Sequence, residues 1–591
     1  MDFPDATPDE EPVDADEFGE EHPAFDHLTE SREWWKEAVV YQIYPRSFFD
    51  SDGDGVGDLR GVEAKLDYLD ALGVDVVWLN PVYDSPNADN GYDIRDYRAI
   101  MDEFGTMDDF ERVLEGLHDR DIRLIMDLVV NHTSDEHEWF QQSRKSRDGE
   151  FRDFYIWRDG RGDGPGGKGQ PPNNWESAFG GSAWSYDEET EQYYLHLFDE
   201  KQPDLNWENP EVRERVYEMM RWWLDKGIDG FRMDVIDLVS KAEGLPDGDP
   251  DSGWTGAEHF MTGPRAHEFI SEMYDEVLAG RDVMTVGEMP GASVEQAQQY
   301  LGPDGDGLNM VFHFEHVTLD YGESGDRWTI GEFSLPRFKQ VLTKWQNGLH
   351  GEGWNSAYLG NHDWPRIVSR FGDDGLYRIE SAKMLATMLF TLRGTPYVYQ
   401  GDEIGMTNFP FERESQVQDV SAQNFVNRKK REGWPMDEIL EVVSYRSRDN
   451  ARTPMQWSDD ENAGFTEGEP WIPVNPNHEA VNVADATARA DSIWNYYREL
   501  IEYRKSTPVA VYGDYELLVP DDPDIYAYLR TLGEERLLVV LNFGDGTPTF
   551  SLPRSVQYDD AECVLHNYAV DAEGPRSFEL RPYEARVYEL E

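Results

Sequence analysis

The chain has 591 residues and a formal net charge of −67, from 120 acidic and 53 basic side chains. Nucleic acids and anionic membranes are bound by basic surfaces, so this charge excludes both as partners. Hydrophobic residues at 39% and aromatic residues at 13% exclude a disordered chain and predict a large folded core.

The acidic residues are spread along the whole sequence, and few of the basic residues are lysine. This composition is typical of proteins adapted to concentrated salt, which screens the self-repulsion of an acidic surface. The single cysteine, Cys563, cannot form an internal disulfide, so nothing requires an oxidising compartment. We therefore predict a halophilic, cytoplasmic protein.

Residues 1–30 are acidic and contain proline, without the basic start and apolar stretch of a signal peptide. They predict a solvated acidic tail rather than a membrane anchor. The sequence also contains no run of about 18 apolar residues, so it predicts no membrane-spanning helix.

After this tail, eight short apolar runs rich in β-forming residues recur. They cover residues 39–45, 74–81, 122–130, 228–236, 282–289, 308–316, 356–363 and 395–403. Segments with a helical spacing of apolar residues, such as LRGVEAKLDYLDALG, lie between them. Eight strand–helix units predict an α/β fold, a closed (β/α)8 TIM barrel. An open doubly wound sheet is the alternative, but no Gly-rich dinucleotide fingerprint follows the first run.

Two connections are too long for simple barrel loops. The Gly-, Pro- and Trp-rich segment 133–205 predicts a small inserted domain (domain B) after the third strand, and a second excursion covers 404–470. The short alternating strands of 511–591 predict a C-terminal antiparallel β-domain. The barrel is therefore assigned to 31–132 and 206–510.

Polar side chains interrupt the apolar runs near their C-terminal ends, where TIM barrels carry their active sites. They are Asp127, Asn131, His132, Arg232, Asp234, Glu288, His362 and Asp363. Arg232 and Asp234 are two residues apart, so they share one face of a strand, and the guanidinium favours an ionised carboxylate. A purely structural ion pair would give the same pattern. The motifs HExxH and CxxC are absent, whereas several carboxylates suit glycosidic bond cleavage.

From about residue 33 onward, the sequence resembles the α-amylase superfamily, glycoside hydrolase family 13. The motifs that carry this resemblance are DLVVNH (127–132), GFRMDVI (230–236), VGEM (286–289) and NHDWPR (361–366). Within the family, the sequence is similar to the oligo-1,6-glucosidase and α-glucosidase group. This finer match rests on QPDLNWENP (202–210), NGYDIRDY (90–97), GTPYVYQGDEIGMTN (394–408) and RDNARTPMQW (448–457).

The resemblance implies a retaining glycosidase with three catalytic acids. Asp234 would be the nucleophile, and Glu288 would be the general acid and then the general base. Asp363 would bind sugar hydroxyls and favour the distorted transition state. A retaining mechanism requires the carboxyl groups of Asp234 and Glu288 to lie about 5–5.5 Å apart.

The resemblance also implies a pocket for the terminal glucose of a small oligosaccharide. Tyr92 would stack on the sugar, which would be held by His132, Arg232 and His362. Asp89 and Arg448 match a pair that closes the pocket beyond the non-reducing end. A closed pocket releases one glucose per event, so we expect an exo-acting enzyme.

Val235 follows the proposed nucleophile directly. Valine here resembles the α-1,6-acting members of the group, whereas alanine or threonine is associated with α-1,4 preference. The alternative is that Val235 serves strand packing, since valine is favoured in strands. We expect a leaning to isomaltose-type substrates, with maltose and sucrose as alternatives.

The stretch DSDGDGVGD (50–58) predicts a cation-binding loop. Its candidate ligands are the carboxylates of Asp50, Asp52, Asp54 and Asp58 and the carbonyl of Val56. The stretch matches the start of an EF-hand loop, but Gly61 stands where that loop has its bidentate glutamate. The resemblance includes such a loop after the first strand, with a structural Ca²⁺ or Mg²⁺ and no organic cofactor. A solvated acidic turn is the alternative.

Two other activities and one non-catalytic role are the alternatives to this function. The first is transglucosylation or isomerisation, as in trehalose synthases and sucrose isomerases. The second is hydrolysis of a phosphorylated disaccharide, which would need a basic acceptor site, and the sequence shows no clear basic cluster. The third, a non-catalytic family member, conflicts with the presence of all three catalytic acids.

Overall fold

The computed structural model describes residues 32–162, 168–301, 307–322, 325–570 and 574–591. The predicted acidic tail, 1–30, lies outside the described residues. In the described part, no helix combines the length and apolar composition needed to cross a bilayer.

Eight strands form one parallel sheet, one in each of the eight predicted runs. They are β1 Val40–Ile43, β2 Val76–Leu79, β3 Arg123–Val129, β4 Gly230–Asp234, β5 Met284–Glu288, β6 Met310–Phe312, β7 Ser356–Ala357 and β8 Thr395–Tyr399. Their order is β6-β5-β4-β3-β2-β1-β8-β7, and β1 pairs in parallel with both β2 and β8. The predicted TIM barrel is confirmed.

The barrel closes between β6 and β7. Within the described residues, this junction consists of a parallel bridge between Val311 and Asn355 rather than a ladder. The Ser356 hydroxyl reinforces it by donating to the Val311 carbonyl at 2.7 Å. The strands are shorter than the apolar runs, because each run continues into the loop at the barrel mouth.

Helices surround the barrel, as the helical spacing predicts. They are Leu59–Glu63, Leu66–Leu72, Met107–His118, Pro210–Lys226, Ala266–Met273, Val294–Tyr300, Leu335–Gly348, Ile367–Phe371, Arg378–Thr391, Ile493–Ser506 and Pro508–Tyr512. The helix Met107–His118 begins with a capping box between Thr106 and Asp109. A short helix, Trp34–Glu37, precedes β1.

A small domain is inserted after β3. It contains the helix Glu138–Ser143 and a three-stranded antiparallel sheet in which Gln192–Leu195 lies between Trp157–Arg158 and Trp184–Asp187. The limits of 133 and 205 for this domain remain a prediction. A hairpin of Tyr83–Asp84 and Asp96–Ile100 lies beyond β2.

The second excursion, after β8, contains the helices Val420–Glu432, Met436–Arg446 and Asp449–Arg452, and the helix Val483–Ala488 follows it. The first two pack around a separate apolar cluster that includes Phe409, Phe425 and Val443. This excursion carries Arg448 back toward the barrel.

The C-terminal region is an antiparallel β-domain, as predicted. Five strands are ordered Asp514–Leu518, Ile525–Leu532, Glu535–Asn542, Ala585–Leu590 and Ala561–His566, and a second sheet pairs Thr549–Ser551 with Ser577–Glu579. Lys339, a fully buried residue of a barrel helix, donates to the carbonyls of Val519, Asp522 and Ile525 in this domain.

Candidate active site

A buried guanidinium occupies the centre of the barrel mouth. Arg232 and Asp234 lie on one face of β4, and Nη1 of Arg232 donates to Asp234 at 2.6 Å and to Asp127 of β3 at 2.7 Å. Nη2 lies 2.8 Å from Oε2 of Glu288, the last residue of β5. Arg232 therefore links the ends of three neighbouring strands. The contact with Glu288 was not anticipated from the sequence, because it joins residues 56 positions apart.

The carboxyl groups of Asp234 and Glu288 differ in acidity. Burial raises the pKa of Asp234 to about 6, against the opposing attraction of Arg232. Burial raises the pKa of Glu288 to about 8. The attraction of Arg232 only partly offsets the effect of burial, and the nearby carboxylate of Asp234 raises the pKa further. Asp234 therefore loses its proton before Glu288, as a nucleophile and a general acid require. Arg232 moderates the effect of burial on Asp234 rather than reversing it.

Asp363 is the most open of the three acids, with 26% of its side chain exposed. It lies in the loop after β7, where the side chain of Asn361 accepts its backbone N–H at 2.7 Å. Burial alone would raise its pKa, but His362 and the guanidinium of Arg448 hold that pKa well below its usual range. Arg452 also donates to Asp363, at 2.8 Å. The contact of this arginine with Asp363 was not predicted from the sequence.

A network of ion pairs forms the wall beside Asp363. Arg448 donates to Asp89 at 3.2 Å, so the two residues matched from the sequence are in contact. Nε of Arg448 also donates to Asp419 at 2.8 Å. Asp419 is the N-cap of the helix Val420–Glu432, and its role was missed because an isolated aspartate carries no signal in so acidic a chain.

Aromatic and imidazole rings line the pocket floor. The rings of Tyr92 and His362 are parallel, with centroids 5.3 Å apart, and the Tyr92 hydroxyl lies 2.8 Å from Nε2 of His362. Nε2 of His132 lies 3.2 Å from the Tyr92 carbonyl and 3.1 Å from Gln202. Burial lowers the pKa of both His132 and His362 to about 4, so both imidazoles are neutral near pH 7.

Val235 lies just beyond β4, which ends at Asp234. Its backbone is left-handed, with φ 37° and ψ 43°. Its side chain is 8% exposed and belongs to an apolar cluster with Trp175 and Trp184 of the inserted segment. Val235 therefore packs against the inserted segment rather than within the strand, and its role in linkage preference stays a prediction.

The acidic loop after β1 brings three of its four aspartates together. Ligand oxygens of Asp50, Asp52 and Asp58 lie within 4.8 Å of one another. Asp54 is not in this group, and its carboxylate accepts the Val56 N–H at 2.8 Å. Carboxylate oxygens are the ligands that Ca²⁺ and Mg²⁺ prefer, so the three clustered groups fit a hard cation.

Comparisons with known proteins agree with this geometry. Residues 42–513 match the family "Alpha amylase, catalytic domain", and residues 515–587 match "Maltogenic Amylase, C-terminal domain". The oligo-1,6-glucosidase of Parageobacillus thermoglucosidasius is 59% identical, over 95% of this chain and 99% of its own.

Two solved structures extend the comparison. The trehalose-6-phosphate hydrolase of Bacillus licheniformis superposes with a TM-score of 0.91 and 49% identity, over 95% of this chain and 100% of its own. The isomaltulose synthase of Klebsiella sp. LX3 has a TM-score of 0.91 and 46% identity, with the same coverage. The chain belongs to the α-amylase family, glycoside hydrolase family 13.

Proposed function

We propose that the protein is an exo-acting, retaining α-glucosidase that releases glucose from the non-reducing end of short α-glucosides, with a preference for α-1,6 linkages. One observation carries the proposal. The carboxyl groups of Asp234 and Glu288, on neighbouring strands, contact the same guanidinium of Arg232 and have separated pKa values. Several relatives named oligo-1,6-glucosidase, at 51–59% identity, support the linkage preference.

The proposed reaction has two steps. Asp234 attacks the anomeric carbon and forms a β-glucosyl ester, while Glu288 gives its proton to the departing glycosidic oxygen. The Glu288 carboxylate then takes a proton from water, which attacks the same carbon and releases glucose and the Asp234 carboxylate. Asp363, ionised and partly open to the pocket, is suited to bind sugar hydroxyls.

Exo action is supported by the wall beyond Asp363. Arg448 is held by Asp89 and Asp419, and its guanidinium lies 5.1 Å from the ring of Phe179 in the inserted segment. These contacts join the loop after β2, the inserted segment and the second excursion. A chain that continued past the terminal glucose would have to separate them.

Linkage preference is tested at Val235. In the wild type we expect a higher kcat/KM for isomaltose than for maltose, and Val235→Thr should lower the isomaltose-to-maltose ratio about tenfold, since one side chain contributes roughly 1–3 kcal/mol of discrimination. Val239→Thr makes the same change at another buried valine of the same turn and should leave the ratio unchanged. Equal ratios in all three proteins would contradict the assignment. Product analysis with sucrose and trehalose separates hydrolysis from isomerisation.

The pH profile tests the two acid roles. kcat/KM for isomaltose should fall as the pH drops below about 6, because the nucleophile Asp234 becomes protonated. It should also fall as the pH rises above about 8, because Glu288 loses the proton it must donate. Initial rates from pH 4 to 10 measure both limbs. A profile without a basic limb would remove Glu288 from the role of general acid.

We also propose that Asp50, Asp52 and Asp58 hold a structural Ca²⁺ or Mg²⁺. Removing the ion should lower the melting temperature by several degrees, because a ligand that binds only the folded state stabilises it. Thermal unfolding with and without chelator measures this. Asp52→Asn, at an exposed position, should abolish most of the chelator effect. An unchanged melting temperature in the wild type would favour the solvated-turn alternative.

The phosphorylated-disaccharide alternative has limited support. A run of four basic residues, 428–431, was overlooked in the sequence, but it lies in the last turns of the helix Val420–Glu432, away from the end that contacts Arg448. Lys430 pairs with Glu414 at 2.8 Å, which offsets its charge.

We further propose that the enzyme works in a salt-rich cytoplasm, which the charge of −67 and the lone Cys563 support.

A further inference from the structure

Val235 has an unfavourable backbone conformation. At φ 37° and ψ 43° it lies in the left-handed region, where a β-branched residue is a marked outlier. Such conformations persist only where the surroundings enforce them, and they concentrate at functional sites.

The backbone amide of Val235 contacts the proposed general acid. The ladder between β4 and β5 ends with Met233 opposite Gly287, so the amide of Val235 lies beyond the ladder. It donates instead to Oε2 of Glu288, at 3.2 Å. A strand terminus thus holds a carboxyl group of its neighbour through the main chain.

The two close contacts of the Glu288 carboxyl group within the described residues fall on the same oxygen. Oε2 faces both the Val235 N–H and Nη2 of Arg232, and both groups are donors. In a protonated carboxyl group, the carbonyl oxygen accepts hydrogen bonds and the other oxygen carries the proton. Oε2 is therefore the carbonyl oxygen, and Oε1 carries the proton.

The side chain and carbonyl of Val235 hold the backbone in place. The side chain packs in the cluster that contains Trp175 of the inserted segment, and the Val235 carbonyl accepts the Leu238 N–H at 2.9 Å. Packing of the inserted segment is thus connected to the position of Glu288 through one residue.

We propose that Val235 is a positioning residue: its main-chain amide fixes Oε2 of Glu288, so that the acid proton is kept on Oε1 for delivery to the leaving group. The proposal rests on the proposed role of Glu288 as general acid. It adds a main-chain function to a position whose side chain was considered only for linkage preference.

The test replaces Val235 by its α-hydroxy acid, which deletes the N–H and keeps the side chain. The Val235 N–H stabilises the ionised form of Glu288. Its deletion should therefore raise the pKa of Glu288 and move the basic limb of kcat/KM to higher pH by roughly half a unit to one unit. kcat/KM should fall about three- to tenfold for isomaltose, which needs acid assistance. For p-nitrophenyl α-glucoside, kcat/KM should change less than twofold, because p-nitrophenolate departs with little acid assistance.

Two further variants keep the test decisive. The same backbone ester at Ala242 removes a main-chain hydrogen bond to the His259 carbonyl, which involves neither Val235 nor Glu288, and it should leave the basic limb unmoved. Val235→Gly keeps the N–H and tolerates positive φ, so the basic limb of kcat/KM should stay at its wild-type pH, although loss of the side chain alters linkage preference. The proposal is overturned if the Val235 ester leaves both the limb and the ratio unchanged, or if Val235→Gly moves the limb as far as the ester does. The proposed function is tested separately with Glu288→Gln. If this variant still hydrolyses isomaltose, Glu288 is not the general acid.

Discussion

Asp234→Asn is expected to lower kcat for isomaltose by a factor of about 10⁴ or more while the barrel stays folded. An amide cannot form the glucosyl ester, so the first step is lost. Arg232 keeps its contacts with Asp127 and Glu288, so its buried charge stays paired. Initial rates, together with circular dichroism and thermal unfolding, measure both parts of the expectation.

Asp237→Asn provides a matched control. Asp237 is fully buried three residues further along and belongs to none of the proposed catalytic groups. Its substitution should change kcat less than tenfold. Burial raises the pKa of Asp237 to about 7. The native carboxyl therefore costs stability as the pH rises through 7, and the asparagine variant should be the more stable one at pH 8 but not at pH 4. An Asp234→Asn enzyme with more than a hundredth of wild-type turnover would refute the assigned nucleophile.

Dialysis from molar KCl into low-salt buffer is expected to abolish activity and to lower the melting temperature by tens of degrees. With a net charge of −67, repulsion among surface acids opposes the compact state. The screening length grows from about 3 Å in 1 M salt to about 30 Å at 0.01 M, so repulsion then extends across many neighbouring groups.

Activity and thermal unfolding are to be measured across a KCl series, with choline chloride at equal ionic strength and sucrose at equal osmolality as controls. Screening predicts that both salts restore the fold and that sucrose does so poorly. Full activity in the absence of salt would refute salt adaptation.

The strands were predictable because their physical signal is local. In a barrel with helices outside, strands are buried on both faces and appear as nearly continuous apolar runs. A polar residue near the end of such a run is therefore conspicuous, as Asp234 and Glu288 are. The left-handed conformation of Val235 was not predictable, because valine favours strands and the contacts that enforce the turn come from another segment.

Other parts of the site depend on distant contacts that leave no mark on the sequence. Asp419 and Arg452 meet Arg448 and Asp363 only because the second excursion folds back over the barrel mouth. In the acidic loop, the spacing of the aspartates identified the candidate ligands but not which carboxylates point toward one another. The carboxylate of Asp54 instead accepts the backbone N–H of Val56 and does not join the cluster.

The three carbonyls around Lys339 couple the barrel to the C-terminal domain. Burial lowers the pKa of Lys339 to about 8, and its acceptors all belong to the domain that follows residue 513. A truncated barrel would lose these three acceptors, and water would have to solvate the ammonium in their place. Exchange of the C-terminal module for that of another enzyme would therefore cost stability unless the incoming module offered the same three oxygens or position 339 were changed with it.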